Sequence, residues 1–551
     1  MNPSRRDLLV AMLGAPAALA ACRRHRSARY DVALAGPDER AGHRLRSAQD
    51  LFAQPVDARR TVSVLVVGAG AAGLASAWRL RREGFEDLAV LDLEAVEGGT
   101  SMAGQNSVSA YPRGAHYVPV PSAGDRALVA LLREMSVVTG FDALGEPVVD
   151  EASLVRDLDE RVFDGERWHE GLVPRATMTA LDREQWPRWQ RELDAWVARR
   201  DARGRHAFTL PARAGSDEAD VAALDRISMR EWLDAHGFTA PALRWLVRYA
   251  CRDDYGCEPE NTSAWAGLFY FASRVPAPGR PPAELIAWPE GNARLTTHLA
   301  RGLGDRLQTR ELVFDVSPCA GGLVKVRSWN TREGRVTEWT AQHAIVAVPG
   351  FVARRIVAPW RERAPQGIER FTYAPWAVVN LTLRGRPREH GVGMAWDNVI
   401  RDSESLGYVC ATHQSLRDHG STVLTWYYPL TGASPERERR RMQSLGARDW
   451  ADLAVSDLSV PHPELGDLVT RAEVMRWAHG MVRPVPGFVS DSARRRAAEP
   501  IDGRVFFAHT DRSAMALFEE ALACGVSAAE AVLGARGTAP DERLGADVGH
   551  P

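Results

Sequence analysis

The residues with the clearest chemistry are three glycines, Gly68, Gly70 and Gly73, spaced as G-x-G-x-x-G between an apolar run and a helical pattern. At this spacing the three glycines serve separate ends, namely a tight turn, close backbone approach to a pyrophosphate, and close packing of helix on strand. Free backbone N–H groups and the positive end of the helix dipole then meet the phosphate charge. The run before the glycines holds Val62, Val64, Val66 and Val67, and the stretch after them places Ala77 and Leu80 at helix spacing before Gly84 closes it. That context predicts strand, turn and helix in order. A second apolar strand, Leu88 to Leu93, carries Asp92, about twenty residues beyond the glycines, where an acid accepts hydrogen bonds from ribose hydroxyls. Gly98 and Gly99 follow and bring a second backbone segment against the phosphates. These residues read as a dinucleotide site.

The longer pattern, Gly68, Gly70, Gly73, Ala77, Leu80, Gly84, Asp92, then Gly98-Gly99, resembles the FAD-binding start of the flavin-containing amine oxidase superfamily. That superfamily also includes phytoene-desaturase-like and protoporphyrinogen-oxidase-like enzymes. The stretch from Trp288 to Gly304 resembles the family's glycine turn and helix that re-enter the FAD domain, and the stretch from His343 resembles its strand ending in a proline. Gly503 to Leu533 resembles the closing flavin motif, with Asp511 in the place of the acid and Ala521, Gly525 and Ala528 as the small face under the cofactor. The resemblance implies FAD as cofactor and an α/β fold: a discontinuous Rossmann-like FAD-binding domain with an interleaved α+β substrate domain. Residues 61–125, 280–360 and 470–535 belong to the first, and 126–279 and 361–469 to the second. In the first substrate segment tryptophans recur at helix spacing and read as core packing. In the second, YAPWAVVNLTLRG and STVLTWYYPL alternate as strands and form the pocket roof.

The reaction is narrowed by what is missing. No second G-x-G-x-x-G lies downstream, so no NADPH domain is expected to reduce the flavin, and no cysteine lies between Gly99 and Cys251 to serve disulfide reduction. What remains is hydride transfer from a carbon of a small-molecule substrate to flavin N5, with oxygen or another acceptor taking the electrons. For amine oxidases the resemblance implies a lysine on a substrate-domain strand and an aromatic cage. The sole lysine is Lys325, in a strand of the FAD domain; Asn380 stands near the expected place, and AMALFEE carries no cage aromatic. Simple monoamines are therefore expected to be poor substrates. Amine-oxidase-like oxidation stands beside two alternatives, desaturation or isomerisation of an apolar molecule and a non-catalytic FAD-fold scaffold at a membrane.

The candidate catalytic residues are His116 and Tyr117, in PRGAHYVPVP, and Trp477 and His479, in RWAHGMVRPVPG. The family's chain passes from the phosphates toward the isoalloxazine at His116, whose imidazole either polarises substrate or flavin or bonds its own backbone turn. Trp477 and His479 are expected to approach the ring, and His509 beside Asp511 reads as a packing or phosphate-side residue.

The N-terminus carries a separate message. Arg5 and Arg6 precede a modest apolar run ending Leu19-Ala20-Ala21-Cys22, too short to span a bilayer as a mature helix. Residues 1–22 resemble a twin-arginine export signal with a lipobox, in which Cys22 is lipidated. This predicts a periplasmic or cell-envelope protein anchored to the membrane by lipid. A cofactor held by burial suits a pathway that exports folded chains. Residues 23–60 read as a linker and 536–551 as a flexible tail. With 551 residues, 45% of them hydrophobic and a net charge of -2, the chain has ample core and no nucleic-acid surface. Cys251 and Cys257 form a local disulfide or remain buried thiols. No cluster has metal-ligand spacing, so no metal is expected.

Overall fold

The computed structural model describes residues 30–415 and 417–536; residues 1–22, read from sequence as an export signal, and the residues beyond Arg536 lie outside the described residues. Two sheets organise the chain. In the first, Ala58–Val67 begins exposed at Arg59 and Arg60 and becomes fully buried from Val64 to Val67, where it runs between Leu88–Leu91 and Val336–Val346, parallel to both. Leu307–Gln308 extends this parallel set at one edge, and Val505–Phe507 pairs in parallel with Ala344–Val346. The first half of Val336–Val346 instead turns into an antiparallel meander with Leu323–Asn330 and Glu311–Cys319. The carboxyl ends of the parallel strands therefore gather Gly68–Gly70, Asp92, Ala347–Gly350 and His509–Thr510 at one rim, the place where open α/β sheets bind ligands.

The glycine-turn helix, Ala71–Arg82, lies against the closing helix, Phe518–Ala535. Gly525 permits this contact, since a Cβ there would fall 2.2 Å from the Ala72 carbonyl oxygen. The Ser76 hydroxyl donates to the Gly525 carbonyl at 3.0 Å across the same seam. Leu74, Leu80, Leu522 and Val526 fill the core around it. The helix Ala180–Ala198 and its neighbours bury Trp189 and Trp232, so the tryptophans at helix spacing are core residues.

The second sheet has eight strands and carries the substrate side. Its order is Asp31–Ala35, Val469–Val482, Tyr373–Leu383, Thr422–Pro429, Tyr408–Cys410, Asp397–Ile400, Glu160–Asp164 and Arg167–Glu170. Two expectations are corrected here. Residues 31–56 are no tether: Asp31–Ala35 pairs in parallel with Arg471–Met475, and short helices at Glu39–His43 and Gln49–Phe52 follow, with Leu45 and Leu51 buried in the core. Elements of four or five residues are too short to show a period, which is why the sequence reads as structureless there. The strand Val469–Val482, assigned by sequence to the FAD domain, belongs to the substrate sheet, because it pairs along nearly its whole length with Tyr373–Leu383.

Cys251 and Cys257 are separate buried thiols, and the Cys257 sulfur accepts from Arg483 Nε at 3.1 Å. Among the described residues no helix is long and apolar enough to cross a membrane.

Candidate active site

A cavity of about 1450 Å³ opens at the rim where the parallel strands end, and Gly68, Gly70, Asp92, Gly98 and Gly99 all line it. Gly68 and Gly98 adopt φ of +103° and +114°, conformations that side chains rarely tolerate. Gly70 is a glycine for another reason. Its φ of -73° and ψ of 179° suit any residue, and a Cβ built there meets no atom within 4 Å. The space it leaves belongs to the cavity. Gly73 lies beneath the turn, where a Cβ would sit 1.8 Å from the Gly68 carbonyl oxygen, so its role is packing. The helix that starts at Ala71 has no side-chain cap and offers its first amides to an anion.

Asp92 Oδ2 accepts from the Ala69 amide at 2.5 Å and Oδ1 from the Glu94 amide at 2.7 Å. Burial raises its carboxyl above the ordinary value against the pull of these two amides. The carboxylate is thus fixed at the cavity wall with lone pairs left for ribose hydroxyls. An uncapped helix start, a glycine whose missing side chain leaves open space and a buried, backbone-anchored acid together fit the pyrophosphate and ribose of FAD.

Asp511 corrects the expectation placed on it. Its Oδ2 accepts from the Gly350 amide and from the Tyr373 hydroxyl, both at 2.6 Å, and Oδ1 lies 3.0 Å from His509 Nδ1. Burial alone would raise this carboxyl, but His509, Tyr373 and the Gly350 amide outweigh it and hold it below the ordinary value. Asp511 therefore braces the loop after Val336–Val346, while His509 and Thr510 form the wall facing the cofactor. The segment after Asp31–Ala35 supplies more of that wall through Pro37, Leu45 and Phe52. It is tied down by the Asp38 amide, 3.1 Å from the Glu94 carboxylate, and by Phe52 packed edge-on to Phe314.

A smaller cavity of about 140 Å³ adjoins the first, and Thr100, Ala115, Trp477, Gly480 and Leu517 line both. His116 and Tyr117 line only the smaller one. The His116 ring stacks on Tyr427 at 4.7 Å, and its Nδ1 lies 3.4 Å from the Gly114 carbonyl oxygen. Burial pushes its pKa down to about 4, so it is neutral at ordinary pH. Tyr427 donates to the same carbonyl at 2.9 Å. Trp477 donates to the Arg113 carbonyl at 2.7 Å, which fixes the indole between the two cavities. His479 stacks on Phe351 at 4.1 Å and lines the cofactor cavity only. The structure brings His116, Tyr117 and Trp477 together and leaves His479 apart from the smaller cavity.

The roof strands contribute Trp376, Val378 and Tyr427, an aromatic wall that the cage positions of the closing motif do not supply. Asn380 lies further along the same strand and walls neither cavity; its Oδ1 accepts from the Thr425 hydroxyl at 2.7 Å. Lys325 is on the meander, 3.6 Å from Glu338. Sequence reading missed Tyr249, Asp253, Asp254, Arg274, Asp397 and Glu519, all in the wall of the smaller cavity. The signal was the pair Asp253-Asp254 near the end of the amphipathic helix Pro241–Tyr255.

Buried carboxyls here give the protein a distinctive pH response. Burial, the largest influence on each, lifts Glu160 to about 8, Asp397 to about 7 and Glu519 to about 8. Between the unfolded value and the native one the folded chain holds the extra proton, so this stabilisation is full at low pH and is lost as pH rises through 7 to 8. His116, His343 and His462, lowered to about 4, and His479, lowered to about 3, act in the opposite sense. Their effect ends above about pH 6.5, the unfolded histidine value. The cofactor-free chain is expected to lose unfolding free energy as pH rises from about 6.5 to about 8. Urea titrations at fixed ionic strength measure this, and a rising curve over that interval would contradict it.

A large cavity lined by the dinucleotide-binding turn, with a smaller cavity sharing its wall, is the arrangement of an FAD-dependent oxidoreductase. The chain belongs to the flavin containing amine oxidoreductase family, which it matches over residues 71–533. A Mycobacterium tuberculosis protein, AofH, whose name provisionally makes it a flavin-containing monoamine oxidase, is 28% identical over 299 residues, 52% of this chain and 57% of that one. The match thus spans just over half of that relative's length. A redesigned triple variant of putrescine oxidase superposes with a TM-score of 0.62 at 17% identity, covering 86% of this chain and 99% of the other. Cyclohexylamine oxidase from Brevibacterium oxydans does so with a TM-score of 0.62 at 15% identity, covering 86% and 99%. These two structures share the fold.

Proposed function

We propose that this protein oxidises an amine at the carbon bearing the nitrogen. The observation that carries the reading is the smaller cavity, which shares a wall with the cofactor cavity and combines aromatic sides with buried carboxylates. When bound, FAD supplies a two-electron acceptor at N5 for a hydride from the substrate, and oxygen or another acceptor reoxidises it. The cationic amine first loses a proton to water or a carboxylate, the neutral amine then gives up its hydride, and the resulting iminium is hydrolysed by water to a carbonyl compound and ammonium or a smaller amine. Burial holds Asp397 at about 7 and Glu519 at about 8, so these carboxyls give up protons as a cationic amine enters and then balance its charge. Tyr427, Trp376 and Trp477 form sides that exclude water and hold the reacting carbon against the shared wall. His116, neutral and stacked on Tyr427, orients that side without adding a charge that would repel the amine.

Anaerobic mixing of the holoenzyme with amines, and in parallel with apolar alcohols, tests the reading through loss of the visible flavin absorbance. Bleaching by amines alone is expected. Bleaching by alcohols alone would replace this reading with another oxidation. His116→Ala is expected to retain FAD and to slow flavin reduction about tenfold or more through lost orientation. An unchanged rate would remove His116 from the site.

Export by the twin-arginine route and lipid attachment at Cys22 form part of the same proposal, supported by Arg5, Arg6 and the Leu-Ala-Ala-Cys sequence. Replacing both arginines with lysine is expected to leave the chain in the cytoplasm, and Cys22→Ala to abolish lipid labelling. Normal export of the double-lysine variant in cell fractionation would refute the route.

A further inference from the structure

The segment from Tyr30 to Phe52, which the sequence reads as part of a linker, is seated on both halves of the molecule. At its start Asp31–Ala35 adds a parallel edge strand to the substrate sheet along Arg471–Met475. Beside that strand the Tyr30 hydroxyl donates to Asp452 Oδ1 at 2.7 Å, and the Tyr30 carbonyl accepts from Arg448 Nη2 at 2.9 Å. At its end the segment lies on the FAD domain. There Leu51 is buried in the core, the Phe52 ring packs edge-on to Phe314 at 5.2 Å, and the Arg44 guanidinium sits 4.1 Å from the centre of the Trp329 ring. Between these seats Pro37, Asp38, Gly42, His43 and Arg46 line the cofactor cavity. The segment thus crosses the cavity from one sheet to the other.

It crosses at the ribose end. The Asp38 amide lies 3.1 Å from both oxygens of the Glu94 carboxylate, and a Cβ on Gly42 would lie 3.6 Å from Leu93 Cδ2. Asp38 also starts the helix Glu39–His43, where its Oδ1 accepts from the Ala41 amide at 2.9 Å. Glu94 in turn holds the ribose acid, because its own amide donates to Asp92 Oδ1 at 2.7 Å. Segment and acid are therefore joined through one residue. Further along, the Arg361 guanidinium lies 5.3 Å from the centre of the Phe52 ring, and both residues are in the cavity wall.

The segment can part from the rest without unfolding it. Its helices Glu39–His43 and Gln49–Phe52 have five and four residues, too short to stand alone. Asp31–Ala35 is an edge strand, and lifting it leaves Val469–Val482 paired with Tyr373–Leu383. Elements held by a few seats open at lower cost than the sheets they rest on. We propose that residues 37–52 belong to the FAD site and work as a strap: the cofactor enters while the strap is lifted, docking of the strap closes the cavity over the ribose end, and release waits until it lifts again. The proposal rests on FAD binding and is independent of what the enzyme oxidises. By linkage, bound FAD holds the strap down as firmly as the strap holds FAD.

Trypsin acting on the full chain with and without FAD reads the strap directly. Arg40, Arg44 and Arg46 lie in the strap, and Arg167 is exposed on the hairpin at the opposite edge of the substrate sheet. Saturating FAD is expected to slow cleavage at the strap arginines about tenfold or more and to leave cleavage at Arg167 unchanged. The second measurement is FAD release, followed as recovery of free flavin fluorescence after dilution of the holoenzyme. Tyr30→Phe with Arg448→Ala loosens the strap at a seat outside the cavity, so release is expected to quicken about fivefold or more, the scale of one lost hydrogen bond. Arg161→Met weakens the same sheet at Glu160–Asp164, away from the strap, and is expected to release FAD at the wild-type rate. Equal cleavage of the strap with and without FAD, unchanged release in the double variant, or equal quickening in Arg161→Met would overturn the strap.

Discussion

Replacing Gly70 with leucine is expected to give a folded, colourless protein. The backbone at Gly70 is in the extended region that any residue adopts, and a Cβ there touches nothing in the protein. The fold therefore has no objection to a side chain. The objection comes from the cofactor, because the leucine would project into the cavity beside the uncapped start of Ala71–Arg82, where the pyrophosphate must lie. Visible flavin absorbance after incubation with excess FAD, read beside circular dichroism, decides the matter. A yellow variant would mean that the phosphates lie elsewhere. Gly73 is the contrast, since its Cβ would strike the Gly68 carbonyl oxygen and damage the fold itself. Asp92→Ala should be milder, weakening FAD by roughly 1.5–3 kcal/mol, the worth of a hydrogen bond to a charged group.

Arg161→Met is expected to lower the unfolding free energy by about 3 kcal/mol, the low end for breaking a buried ion pair from one side, because the Glu389 side chain is 26% exposed and can turn to water. Arg161 is 0% exposed. Its Nε donates to Asn398 Oδ1 and one Nη to Glu389, both at 2.5 Å, and that Nη also reaches the Val392 carbonyl at 2.9 Å. The other Nη lies 3.0 Å from the Tyr408 hydroxyl, which meets His462 Nε2 at 2.8 Å. The guanidinium sits 3.9 Å from the centre of the Trp168 ring. Methionine would fill the volume and leave each of these groups without its donor. Chemical denaturation measures the loss, and a change below about 1 kcal/mol, the usual range of a surface pair, would show that water replaces the arginine. Arg161→Lys should fall between the two, because a single ammonium cannot reproduce the fork.

The cavity rim at Gly68, Gly70, Asp92, Gly98 and Gly99 was legible in sequence because it is made largely of backbone and glycine close to a single strand, turn and helix. Gly68, Gly70, Gly73, Asp92, Gly98 and Gly99 act through local geometry, and their spacing carries that geometry directly. Asp511 was legible as an acid near the closing strand, but the side of the backbone it faces depends on Gly350 and Tyr373, which are far away in sequence. The short elements between Asp31 and Phe52 were invisible, since only their contacts with Val469–Val482 and the core order them. The smaller cavity lies furthest from the reach of sequence. Tyr249 and Asp253 reach it from one helix, and Tyr117, Asp397, Tyr427 and Trp477 from four separate strands. Their types were plain, but their convergence follows from how two sheets pack, which no local spacing records. The sequence by itself therefore determined the cofactor and the family's fold, while the tertiary structure alone decided which buried charges and rings surround the substrate, because burial and direction are properties of the packed chain.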